Sequence, residues 1–247
     1  NLSYSERWLS DRTATVQLLL ALGFEVHNAK VTDIRKRNVQ SLNRELGLNS
    51  VTIDHQNSPG ELPVMVKSNY NYGGVYESAL GSELSTALGF SSVAGCEIQG
   101  FDGYYKTTLA QVDKALFEDE RVVIERYIDN QEQRFYRFYR CGEQAILSMI
   151  INPDVIKKMR PGLPRKNWYF KFDQPQPISQ GQPQDHHYPA TIDDATVIFQ
   201  KMEIDFGAVD IVMDDEYNGY IIDVNPTPGW GAEKQEQILD YLRQGIK

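Results

Sequence analysis

Asp210, Asp223 and Asn225 are the side chains whose types and spacing best suit chemistry. They lie in DFGAVDIVMDDEYNGYIIDVNPTPGWG, residues 205 to 231. Two apolar-rich runs, Gly207 to Met213 and Tyr220 to Val224, flank the polar stretch Asp214 to Gly219, the pattern of a β-hairpin with a longer loop. Asp210 interrupts the first run, and Asp223 and Asn225 close the second. Carboxylates are almost never buried without a partner. Three oxygen-bearing side chains converging from neighbouring strands suit a hard divalent cation such as Mg²⁺, which completes its octahedron with water and phosphate oxygens. Asp214, Asp215 and Glu216 read as a solvated turn. On this reading Asp210 and Asp223 repel each other when no cation is bound. Replacing either by Asn should then leave stability unchanged or slightly raised while abolishing metal-dependent turnover.

A second stretch suits phosphate. Leu62 to Ser68 (LPVMVKS) reads as an apolar strand with Lys67 near its end, followed by Asn69-Tyr70-Asn71-Tyr72-Gly73-Gly74. A Lys at a strand end, ahead of a loop containing Gly73 and Gly74, offers an ammonium and backbone N–H groups to polyphosphate. A lysine merely snorkelling at the surface is the weaker reading. The loop should be mobile until nucleotide orders it, because glycines resist ordering.

The elements that must position these residues alternate in type. Ser5 to Leu22 has helical spacing and is stopped by Gly23, and Phe24 to Val31 then alternates like a strand. A helix from about Arg35 carries Val39, Leu42 and Leu46 on one face and stops at Gly47. Val75 to Gln99 has no informative pattern. Phe101 to Thr108, Leu109 to Phe117 and Arg121 to Ile128 read as strand, helix and strand. Glu132 to Cys141 (EQRFYRFYRC) mixes arginines with aromatics as nucleic-acid surfaces do, but reads better as an antiparallel strand with one polar face. Ala145 to Ile151 is its return strand. Asn152 to Asp185, rich in Pro and Gln toward its end, reads as an irregular loop. Helices are expected over Pro189 to Met202 and Gly231 to Ile246. His186-His187 has no third ligand at transition-metal spacing.

Composition narrows the class. A net charge of −9 argues against a nucleic-acid surface. No apolar run approaches the ~18 residues of a transmembrane helix, so no membrane partner is expected. Cys96 and Cys141 have no metal spacing and are too few for a disulfide framework. No secretion signal is visible, although a chain beginning at Asn1 makes that weak. A reducing cytoplasm is the expected compartment.

The run FGAVDIVMDDEYNGYIIDVNPTPGWG resembles the C-terminal signature of the ATP-grasp superfamily. There an acidic residue on one strand is followed by an acidic-x-Asn triplet on the next, often with a Pro-Gly turn. Asp210, Asp223 and Asn225 take the three positions, and Asp223 stands where Glu is usual. The rhythm around Arg35-Lys36-Arg37 and the Lys67 strand with its loop resemble the family upstream. The resemblance implies an α+β, two-lobed ATP-grasp fold, with nucleotide bound between two mixed or antiparallel sheet-and-helix subdomains. Residues 1–34 would be a remnant of the region before the fold, 35–123 the small lobe and 124–247 the large lobe.

The same resemblance implies residue roles. Lys36 and Lys67 would reach the phosphates, with Tyr72, Gly73 and Gly74 in the loop over them. Glu125 would face the adenine amino group, and the main chain of Arg126 and Ile128 would read the base. Asp129 or Glu132 would take the ribose. Arg137 would point into the active site, and Met149 would lie in the core under the adenine. Arg160, in the basic segment Lys157 to Lys166, would meet the acceptor carboxylate or the transferring phosphate, although each basic residue there, taken singly, reads better as surface. The implied activity is ATP- and Mg²⁺-dependent ligation of a small-molecule carboxylate, or a peptide, to an amine through an acyl phosphate. A phosphotransferase and a nucleotide-binding module without turnover are the alternatives. Because the family's separate N-terminal domain is nearly absent from residues 1–34, a homodimer or a partner chain is the expected source of that region.

Overall fold

Period-two alternation along antiparallel strands decides which side chains share a face, and that fixes the site. The computed structural model describes residues 6–74, 81–87, 104–156, 167–171, 174–177, 188–228 and 236–246. The chain divides into two units, one holding Asn1–Leu42 and Ser50–Tyr127, the other Asn43–Asn49 and Ile128–Lys247.

In the first unit, helix α1 (Glu6–Ala21) ends at Gly23, whose φ of 83° suits a residue without Cβ. Helix α2 (Lys36–Glu45) starts in this unit, and its last residues, from Asn43, are grouped with the second; it ends at Gly47 with φ 70°, and the Leu48 N–H donates to the Asn43 carbonyl at 2.8 Å. Strands β1 (Pro63–Ser68), β2 (Tyr104–Thr108) and β3 (Val122–Arg126) form an antiparallel sheet in the order β2-β1-β3. One face of it packs Val64, Val66 and Val122 against Leu109 and Val112. A short helix α3 spans Gly81–Ala87.

Two expectations fail in this unit. Phe24 to Val31 is turn and coil: Asn28 adopts φ 55°, the Val31 N–H closes a turn onto the Asn28 carbonyl, and Arg12 takes the Asn28 and Ala29 carbonyls. A local partner thus claims acceptors that a strand ladder would need. Leu109 to Phe117 forms two 3₁₀ turns, Leu109–Gln111 and Lys114–Phe117. Asp113 between them accepts from the Ala115 N–H and caps the second, so no continuous helix runs through.

In the second unit, β4 (Arg134–Cys141), β5 (Gln144–Ile151), β6 (Asn167–Lys171), β7 (Gln174–Pro177), β8 (Phe206–Met213) and β9 (Gly219–Asn225) form one antiparallel sheet. Their order is β7-β6-β5-β4-β8-β9. Helix α4 (Tyr188–Lys201) covers one face, where Phe199 meets Phe138 edge to face at 5.7 Å. Helix α5 (Glu236–Arg243) covers part of the other, burying Tyr241 and Leu242 against Tyr139, Cys141, Ile146 and Ala208. Beyond α5, Gly245 lies against the β4–β5 turn so closely that a Cβ on Gly142 would overlap the Gly245 carbonyl. Asn130 ties β4 to β8: its amide donates to the Arg134 and Met213 carbonyls at 3.0 and 2.9 Å.

Strands β6 and β7 correct the irregular loop expected over 152–185. Pro175 and Pro177 concealed β7, which is an edge strand, the place where a sheet tolerates proline. No helix among the described residues is long and apolar enough to cross a membrane.

Candidate active site

In the second unit the antiparallel register builds a cross-strand row. Asp223 on β9 faces Asp210 on β8, Asp210 faces Arg137 on β4, and Arg137 faces Ser148 on β5. Directly opposed residues share a face, so these four side chains line one side of the sheet. Asn225, two residues beyond Asp223, lies on that side opposite Ala208. A register shift between Asp210 and Ile211 marks a bulge beside the row, a device that re-aims side chains. The register thus places Asp210, Asp223 and Asn225, the residues expected to hold a cation, on one face of a hairpin.

Arg137 grips Asp210 with two parallel bonds, Nε to Oδ1 at 2.5 Å and Nη2 to Oδ2 at 2.7 Å, with 13% and 16% of the two side chains exposed. Burial alone would make the guanidinium easier to deprotonate. The Asp210 charge and its hydrogen bonds outweigh that and hold Arg137 above its ordinary pKa. Tyr139, two residues along the same face, is hydrogen-bonded to Arg137, and burial keeps its hydroxyl protonated. The expected mutual repulsion of Asp210 and Asp223 therefore has to be corrected: Asp210 is neutralised by an arginine.

The donor set is that of a hard cation: two carboxylates and an amide oxygen, with the Asp223 Oδ1 accepting the Val224 N–H and the Asn225 Oδ1 the Thr227 N–H. Among the described residues no three His, Cys, Asp or Glu side chains gather, so a cation here would rely on the amide as its third ligand. These residues fit Mg²⁺, on condition that Asp210 shares its oxygens between the cation and Arg137.

The first unit holds a second buried ion pair. Lys67 meets Glu125 at 2.6 Å, and only 5% and 3% of these side chains are exposed. Glu125, expected at the adenine amino group, is thus the partner of the lysine expected at the phosphates. Lys36 is fully buried and donates from Nζ to the Tyr70 carbonyl at 2.7 Å, while its N–H donates to Asn69. It anchors the turn after β1. The Arg126 N–H is taken by the Val51 carbonyl, which engages the main-chain donor expected to read a base. Ile128 is buried. Asp129 accepts the Asn130 N–H, and Glu132 pairs with Arg134 at 2.8 Å.

Met149 is fully buried, but alternation puts it on the face opposite Arg137 and Asp210, so it does not join them. Tyr72, Gly73 and Gly74 lie in the 3₁₀ turn Asn71–Gly74, where Gly73 adopts φ 68°. Arg160 and the basic segment Lys157 to Lys166, through residue 166, lie outside the described residues.

Sequence reading missed Asn69 and Ser148. Asn69 accepts the Arg37 N–H and donates to the Glu120 carbonyl, fixing the end of β1. A buried Asn right after a strand is the signal that could have found it. Ser148 is a lone hydroxyl in an otherwise apolar strand, the same kind of signal that revealed Asp210.

No family model matches the chain, and no curated protein matches it by sequence. Solved structures do. The chain is similar over 96% of its length to 67% of the ATP-grasp ligase PsnB complexed with a phosphomimetic variant of its minimal precursor, Mg and ADP, with a TM-score of 0.52 and 12% identity. It is similar over 96% of its length to 70% of PsnB complexed with the minimal precursor, with a TM-score of 0.51 and 12% identity. The fold is ATP-grasp. At such identity the likeness establishes architecture, and the chain spans about two thirds of those structures' length. Asp210 and Asp223 of the row lie on β8 and β9, the hairpin of the C-terminal run, and Arg137 lies on β4.

Proposed function

We propose that the chain is an ATP- and Mg²⁺-dependent ligase that joins a carboxylate to an amine through an acyl phosphate. The observation that carries this reading is the row itself: in an ATP-grasp fold, two carboxylates and an amide stand beside a buried, permanently charged guanidinium. Neighbours of this fold are ATP-grasp ligases, and one is complexed with Mg and ADP. Bound Mg²⁺ would bridge phosphate oxygens and neutralise developing charge. Asp210, Asp223 and Asn225 hold the cation. Arg137, unable to lose its proton, supplies fixed positive charge in a site screened from water, where electrostatic stabilisation is strongest. Tyr139 steadies the guanidinium. In the first unit, the Lys67–Glu125 pair orders the end of β1. The chemistry needs positioning and charge, and no nucleophilic side chain is called for.

Peptide carboxylates belong among the substrates to test beside free amino acids. The test is ADP and phosphate release with Mg-ATP and paired carboxylates and amines, with hydroxylamine added to trap an acyl phosphate. Release that requires both substrates, and a hydroxamate from the carboxylate alone, is the expected result. Phosphoryl transfer to a hydroxyl, or nucleotide binding without turnover across the screen, would overturn it.

A further inference from the structure

Ser148 is fully buried, and its hydroxyl makes no hydrogen bond among the described residues. Ile146 and Ile150, two positions away on either side along β5, share its face. A buried hydroxyl in that state is unfavourable, and native structures rarely keep one without reason. Its place in the row supplies a reason. Arg137 stands between Ser148 on one side and Asp210 on the other, and its Nε and Nη2 both donate to Asp210. A divalent cation held by Asp210 and Asp223 would compete with the guanidinium for the same carboxylate oxygens, and two cations on one carboxylate repel. Opposed residues on neighbouring strands lie within reach of a long side chain, so a change of arginine rotamer carries the fork from one neighbour to the other.

We propose that Ser148 is a positioning residue that receives the Arg137 guanidinium when a divalent cation takes the Asp210 carboxylate. This inference rests on the Mg-nucleotide reading above. Before the cation arrives, Arg137 is the counter-ion that keeps Asp210 neutralised within the sheet. Once it arrives, Ser148 Oγ and the Tyr139 hydroxyl accept from the displaced guanidinium and hold its charge beside the phosphates. Both states leave the arginine hydrogen-bonded, and only the second satisfies Ser148.

The test titrates the full chain with Mn²⁺, read by electron paramagnetic resonance, alone and with ATP. Arg137→Gln removes the competitor, so Mn²⁺ alone should bind about tenfold more tightly. Ser148→Ala removes the receiver, so Mn²⁺ should bind about tenfold more weakly, while the cation-free unfolding midpoint holds or rises. Ser148→Thr keeps the hydroxyl and should restore the parent affinity. A merely structural serine predicts the reverse for alanine, a lower midpoint with unchanged cation affinity. Unchanged Mn²⁺ affinity in Ser148→Ala overturns the proposal, as does a folded Arg137→Gln variant that binds Mn²⁺ no more tightly than the parent. If the glutamine variant does not fold, the alanine variant decides alone. A parent that binds neither Mn²⁺ nor Mn²⁺-ATP brings down the nucleotide reading and this inference together, whereas a binding parent with unresponsive variants leaves the reading standing.

Discussion

Lys67–Glu125 in the first unit and Arg137–Asp210 in the second are both buried ion pairs between neighbouring strands, yet they are built differently. The lysine pair is the more enclosed, with 5% and 3% exposed against 13% and 16%, and joins a point charge to one oxygen at 2.6 Å. The arginine pair uses a planar fork on both carboxylate oxygens and has a serine on its other flank. The ammonium meets a single oxygen, whereas the planar guanidinium matches both carboxylate oxygens at once. The difference teaches that two buried ion pairs can be matched to different tasks: one joins a strand end at a single oxygen, while the other spans β4 and β8 with both oxygens engaged.

Removing one partner of a deeply buried pair leaves an uncompensated charge. Glu125→Gln should therefore have the largest effect, a loss of about 3–5 kcal/mol in urea unfolding. Replacing both partners together, Lys67→Met with Glu125→Leu, should recover most of it. A loss no greater than for Asp210→Asn would erase the distinction between the pairs.

Asp210→Asn strands a guanidinium that keeps Tyr139 as a partner, so a smaller loss of about 2–3 kcal/mol is expected. Asp223→Asn keeps an oxygen that can accept the Val224 N–H and lies one strand further from Arg137, so it should cost less than Asp210→Asn. Equal losses for the two would mean that Arg137 serves both carboxylates. Away from both pairs, Asn130→Ala should cost about 1–2 kcal/mol by cutting the tie between β4 and β8.

The smallest effect concerns Asp214. Burial acts to raise its pKa, but hydrogen bonds from Asn218, Tyr220 and the Glu216 N–H outweigh that and hold the carboxyl below its ordinary 3.8. A depressed folded pKa stabilises above the unfolded value and ceases to do so as pH falls through the folded one. Asp214→Asn should thus cost about 1 kcal/mol near neutrality, and the gap to the parent should close below pH 3.8. A pH-independent gap in acid unfolding curves would show that the carboxylate's charge contributes nothing.

The hairpin of β8 and β9 was legible because its signal is local: a polar residue inside an apolar run must face something particular, and the turn sets the register. The partners of those residues were not legible. That Asp210 meets Arg137 depends on β8 lying beside β4, far apart in sequence, and that Lys67 meets Glu125 depends on the register of β1 against β3. Long-range pairing leaves no trace in periodicity, so the pairing of Glu125 with Lys67 and of Lys36 with the Tyr70 carbonyl could not be read from the sequence. Phe24 to Val31 failed for the opposite reason, since its alternation was real but Arg12 claimed its carbonyls. In β7, prolines that argue against a central strand are tolerated at an edge.

The contact of Gly245 with the β4–β5 turn has a kinetic consequence. The hairpin of β4 and β5 closes locally and can form within microseconds. Its turn is sealed by a glycine about a hundred residues later, after α5 has covered Tyr139 and Ile146. The face that carries Arg137 is therefore drafted early and finished late. During synthesis the nascent hairpin would wait with that apolar cluster uncovered until residue 245 had emerged. A chaperone, or slow growth temperature, should matter most for the yield of this chain in that interval.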